Sequence, residues 1–172
     1  ARKEDRGWQD TGPVHLLVGR ARYLQAEQER RRTAAMGKQI IEDLDRAARE
    51  GVTLAADDYA AVARACEWMG DFEAALQHYG SAIAAADPPA LDLRKRVIEL
   101  RLHRLPTPRP GLHVVLDGFI ADSGSDPSLL RWAVERKLHL LLEEDRFDEA
   151  GSLVEGLREV FEPSGEREAF EY

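Results

Sequence analysis

Apolar side chains recur at three- and four-residue spacing from the first helix-compatible stretch to the last, and no segment of length alternates with period two. A stripe of that period can be buried only by a helix, so an all-α fold with negligible strand is expected. Glycine and proline punctuate the pattern. Pro13 suits the first turn of a helix whose apolar positions are Val14, Leu17, Ala21 and Leu24. Glu29-Arg30-Arg31-Arg32 interrupts it. Met36, Ile40, Ile41, Leu44, Ala47 and Ala48 resume it, and Gly51 supplies a stop, giving two helices or one long bent one. The spacing does not keep a heptad across the arginines, which argues against a coiled coil. Further helices are expected at about Ala55–Met69, Phe72–Ala86, Ala90–Leu105, Leu112–Ala121, Ser128–Glu144 and Phe147–Phe161. Asp71 and Asp126 are placed as N-caps, and Pro106, Pro108 and Pro110 force a loop.

The chain has 172 residues and a formal net charge of −8. That length suits one domain or a short repeat array. The single cysteine, Cys66, excludes an internal disulfide framework. No apolar run approaches the ~18 residues of a membrane span, nothing at the start resembles a secretory signal, and a cytoplasmic location is expected. The chain opens on Ala1, which fits a piece of a larger protein. Residues 143–172 hold eleven acids against three arginines, so this stretch alone carries a charge equal to that of the whole chain. Just upstream, Arg94, Lys95, Arg96, Arg101, Arg104 and Arg109 face a single Glu99 between Arg94 and His113. The acidic total, with a pI near 5.2, speaks against nucleic acid as a partner.

Helices arriving in pairs call for a repeat search. Residues 59–88 carry Tyr59, Val62, Ala63 and Cys66, the turn Gly70-Asp71-Phe72, then Ala75, Tyr79, Ala82 and Pro88. Small residues at Ala63, Ala75 and Ala82 allow two antiparallel helices to approach closely, and the tyrosines fill the space between pairs. This pattern resembles the tetratricopeptide repeat. Seventy-five residues on, Glu144 to Ala150 parallels Met69 to Ala75, and Val134, Leu138, Leu141, Ala150, Val154 and Leu157 take the core slots, with Pro163 closing the copy and Lys137 departing from it. A degenerate copy stands between, with Val115 and Phe119 in second-helix slots. The resemblance implies an α-solenoid of antiparallel helix pairs, a right-handed superhelix. It divides residues 13–172 into a degenerate pair at 13–51, repeats at 54–88, 90–127 and 128–163, and a C-terminal tail or cap at 164–172, after a flexible lead-in at 1–12.

No catalytic constellation accompanies the pattern, and the chain is expected not to be an enzyme. Gly37-Lys38 lacks the earlier glycine of a phosphate loop. Asp122 to Asp126 lacks most calcium ligands. His15, His78, His103, His113 and His139 show no metal spacing, so neither metal nor cofactor is expected. Cys66 sits in a core slot.

What the resemblance implies is a protein-interaction scaffold whose concave face is lined by the first helices of each pair. Arg64 and Trp68, then Leu100 with Arg101 or Arg104, then Arg136 and His139 lie between core slots, and a groove bearing them suits an acidic or C-terminal peptide. The chain has no asparagine, so the paired groove asparagines with which some tetratricopeptide modules clamp chaperone carboxylates are missing. The alternative is a regulatory or oligomerising helical domain of a larger protein, with self-association. Glu166 to Tyr172, acids interleaved with Phe170 and Tyr172, is expected either to cap the array or to dock in a groove.

Overall fold

The computed structural model describes residues 11–87, 90–105 and 109–161. Most of the lead-in, Pro106, Pro108, Pro163, the tail at 164–172 and the Leu157 side chain lie outside the described residues. Eight helices and no strand are found among those described: α1 (Gly12–Gln28), α2 (Ala34–Arg49), α3 (Ala56–Met69), α4 (Phe72–Ala85), α5 (Leu91–His103), α6 (Arg109–Asp122), α7 (Pro127–Glu143) and α8 (Phe147–Phe161). The chain divides into two compact units, Ala1–Thr107 and Pro108–Tyr172, each described by itself.

The stops and caps follow local chemistry. Asp71 accepts from the Ala74 N–H at 3.0 Å to start α4, and Asp126 accepts from Ser128 and Leu129 to start α7. Gly70 closes α3 in the left-handed region at φ 80°. Asp145, seventy-five residues on, does the same between α7 and α8 at φ 57°, as a residue type that tolerates that region. Arg30 at φ 54° breaks α1 from α2, so the first stretch is two helices and not one bent one. Pro110, expected in a loop, lies within the first turn of α6, where its missing N–H costs nothing.

In the first unit each of α1 to α5 packs on the next, and α1 also touches α3. Val62, Ala63, Cys66, Ala75, Tyr79 and Ala82 are all buried, with Ile40 and Leu44 of α2 on one side and Leu100 of α5 on the other. The approach of α2 to α3 is set by glycine. A Cβ at Gly37 would lie 2.7 Å from the Ala65 carbonyl oxygen, a backbone atom that cannot swing aside. Gly19 plays the softer version on α1, where a Cβ would meet the Leu44 side chain at 2.8 Å.

The buried face of α1 differs from the expected stripe. Val14, Leu17, Ala21 and Leu24 point outward, and α1 packs through Gly12, Gly19 and Ala26, flanked by Leu16 and Tyr23. Close approach to α2 favours the residues with the least side chain, and an apolar count misses glycine. Leu100, expected in the groove, is core.

In the second unit α6 packs on α7 and α7 on α8. Phe119 is buried and meets Trp132 edge-on, with ring centroids 5.6 Å apart. Val134, Leu141 and Ala150 are buried as expected. Lys137, the departure from the repeat, pairs with Asp117 of α6. Val154, expected in the core, is exposed along with Leu142 and Phe147, because no described helix packs over that side of α7 and α8.

Alanine gains about 1 kcal/mol over glycine in a helix interior, whereas overpacking costs ~1–3 kcal/mol. Gly37→Ala is therefore expected to lower the unfolding midpoint. Gly80→Ala, whose new Cβ meets nothing within 4 Å, is expected to raise it by about 0.5–1 kcal/mol. Urea unfolding of both variants checks this, and a stabilised Gly37→Ala would mean that α2 and α3 do not meet at this point.

Candidate functional site

A polar stripe crosses the first unit from α1 to α5. It begins with Tyr23, half-buried on α1, whose ring stacks on Trp68 of α3 with centroids 6.0 Å apart and planes within 10°. One turn before Trp68, Arg64 holds its guanidinium beside Tyr23 and 4.0 Å from Glu27. Burial opposes the Arg64 charge, but Tyr23, Tyr79 and Glu27 together raise its pKa, so Arg64 is a cation at any working pH. Burial pushes the Tyr23 hydroxyl up despite the nearby guanidinium.

Glu67 is the centre of the stripe. Tyr79 of α4 donates its hydroxyl to Glu67 Oε1 at 2.6 Å, and Arg96 of α5 makes a two-pronged ion pair with the same carboxylate. Arg96 also reaches Glu99 at 2.8 Å. Burial first, and the bond to Glu67 second, push the Tyr79 hydroxyl far up, so it stays a donor. The sequence shows Arg96 only as part of a basic stretch, with nothing to couple it to Glu67. Acid and base lie 29 residues apart, and only the packing of α5 on α3 and α4 gives that separation meaning.

A second carboxylate, this one buried, sits at the other end of α3. Asp58, 1% exposed, accepts from the Ala55 N–H at 2.8 Å and so caps its own helix. Arg20 of α1 grips both its oxygens, at 2.6 and 2.8 Å. Burial pushes the Asp58 carboxyl up, but the Arg20 hydrogen bonds, the Ala55 N–H and the Arg20 charge outweigh it and hold the group below the ordinary carboxylate range. Cys66 of α3 is buried in the core. Burial, with Asp71 and Asp45 adding to it, pushes its thiol up to about 11, so the protonated form prevails near neutral pH.

The expected groove residues fall into two sets. Arg64 and Trp68 meet through Tyr23. Arg101 is half-buried on α5, and Arg104 lies over the Phe72 ring, 5.5 Å from its centroid. Arg136 and His139 belong to the second unit, Arg136 half-buried and His139 exposed and 3.0 Å from Glu143. That unit has its own polar cluster, in which His113 of α6 faces Glu144 at 2.9 Å and Arg146 binds both Glu144 and Glu149. The Arg146 bonds hold both carboxyls below their usual range, with His113 helping at Glu144. Among the described residues no group of three or more His, Cys, Asp or Glu side chains is placed to hold a metal, and no helix is long and apolar enough to cross a membrane.

Comparison with protein-family models, with curated proteins and with solved structures finds no significant match. The site is therefore argued from its own chemistry.

Because the folded pKa of Asp58 lies below the unfolded value of about 3.9, its ion pair adds stability above that value and loses it as pH falls through the folded pKa. Asp58→Asn is expected to unfold more easily than the parent at pH 7. The gap between the two is expected to close below about pH 4. Equal gaps at pH 7 and pH 3 in urea titrations would mean that Asp58 is not held as an anion.

Proposed function

We propose that the chain is a protein-interaction module built from tetratricopeptide-like helix pairs, with no chemistry of its own, and that its first unit binds an acidic peptide segment. The observation that carries this is the Tyr23–Trp68 stack with the Arg64 cation beside it. Aromatic rings and arginine are the side chains that anchor protein interfaces, and here they are held by two adjacent helices, so little side-chain freedom is left to lose on binding. Arg101 and Arg104 add positive charge on α5. The burial of Ala63, Ala75 and Ala82 in the α3–α4 pair supports the repeat reading, as does the packing of each helix on the next. The alternative, an oligomerising or regulatory domain of a longer protein, is favoured by one feature. The outward face of α1 shows Val14, Leu17 and Leu24 to solvent with no charge between them along the stripe.

Titration with a set of fluorescent acidic peptides, half of them ending in a free carboxylate, tests the first reading. Binding is expected to weaken with salt. Trp68→Ala and Arg64→Ala are each expected to cost about tenfold or more in affinity, with helix content unchanged by circular dichroism. Peptides that bind both variants as they bind the parent, or bind nothing at all, would overturn the assignment of this face. Light scattering decides the alternative: a concentration-dependent mass that Leu17→Asp abolishes would favour it.

A further inference from the structure

The two helix hairpins α3–α4 and α7–α8 correspond residue for residue at a separation of seventy-five. Gly70 and Asp145 take the left-handed turn, Ala75 and Ala150 are buried, and Phe72 and Phe147 open the second helix of each. What covers them differs. On α3–α4 lies α5. Its Leu93, Val97 and Leu100 pack against the cluster that holds Ala75 and Tyr79, its Arg96 pairs with Glu67, and its Arg104 covers Phe72. On α7–α8 the matching surface is an open groove of about 540 Å³ lined by Leu138, Leu142, Phe147, Ala150, Val154 and Glu155. Leu142, Phe147 and Val154 are 44%, 62% and 42% exposed. Val154 stands where Tyr79 stands in the first hairpin, and Phe147 where Phe72 does.

Acidic side chains stand at the groove, Glu149 among them being paired with Arg146. Glu155 lines it, and Glu135 lies one turn before Leu138 on the same stripe of α7. Asp148 and Glu149 follow Phe147 at the start of α8. The helix that fills the equivalent place in the first hairpin is basic: residues 90–104 hold five cations and two acids. The chain's own final segment is the wrong charge for this place, since residues 162–172 hold four glutamates against one arginine. We infer that the α7–α8 groove is a docking site for a basic amphipathic helix of a partner protein, seated as α5 is seated on α3–α4. Its apolar stripe, spaced i, i+4, i+7 like Leu93, Val97 and Leu100, covers Leu142, Phe147 and Val154, and its cations meet Glu135 and Glu155. This site is on the other unit and of opposite charge to the acidic-peptide face, so either can fail while the other stands.

The probe is a capped synthetic peptide with the sequence of residues 90–104, titrated into the full chain labelled with nitrogen-15. Shift changes are expected to concentrate on residues 138–155, and the complex is expected to weaken as salt rises. Replacing the peptide's three stripe residues with serine is expected to abolish binding. Val154→Asp and Leu142→Asp, both at exposed positions and so compatible with folding, are each expected to weaken it by about tenfold or more. Glu155→Lys, which leaves the apolar lining intact, is expected to weaken it less and to flatten its salt dependence. Three results would overturn the inference. They are absence of binding at millimolar peptide, binding that the serine peptide retains, and binding that appears only once residues 163–172 are removed, which would make the chain's own end the occupant.

Discussion

The first unit depends on how closely three consecutive helices can approach. Gly37 on α2 sets its backbone against the Ala65 carbonyl, and Ala63, Ala75 and Ala82 do the same work between α3 and α4 with a methyl group each. Helices this near leave no room for a layer of large side chains between them, so the large ones are pushed to the outer edges of the pair. Tyr79 is one such residue, and its ring becomes the surface on which α5 lies. The position of α5, the arginine it brings to Glu67 and the cation it lays on Phe72 all follow from that displacement.

Two paired carboxylates, Asp58 buried and Glu67 half-buried, then favour particular rotations of these helices. A carboxylate removed from water must be matched by donors, and a mismatch costs about 1–3 kcal/mol for each group left without one. Asp58 finds Arg20 and its own helix N-terminus. Glu67 finds Tyr79 and Arg96. Each pair joins helices that are not neighbours in sequence order: α1 to α3, and α3 to α5. Apolar contact alone would let these helices slide along or roll over one another at small cost. The paired charges fix one register among several that would bury similar area.

How much of this was legible in the sequence varied with the range of the interaction. Helix ends depend on a few adjacent residues, and Gly70, Asp71 and Asp126 revealed theirs. The α3–α4 slots were legible because Val62, Ala63, Cys66, Ala75, Tyr79 and Ala82 bury against each other at fixed spacing within one hairpin. The face of α1 was misread because its contacts are made by Gly12 and Gly19, which no hydrophobicity count rewards. Val154 was misread because its slot is buried only where a further helix covers it. Arg64 and Trp68 meet through Tyr23, a residue that the periodicity did not single out. Asp58 and Glu67 were opaque as sites because their partners lie 38 and 29 residues away, and nothing local announces them.

The placement of Cys66 gives the molecule an internal clock. It is the chain's one thiol, it sits in the core between α2, α3 and α4, and burial both covers it and pushes its pKa up. An alkylating reagent can react with it only while that part of the fold is open, so the labelling rate measures how often opening occurs. The second unit has no cysteine. A single chemical readout therefore reports opening of the first unit around α2, α3 and α4.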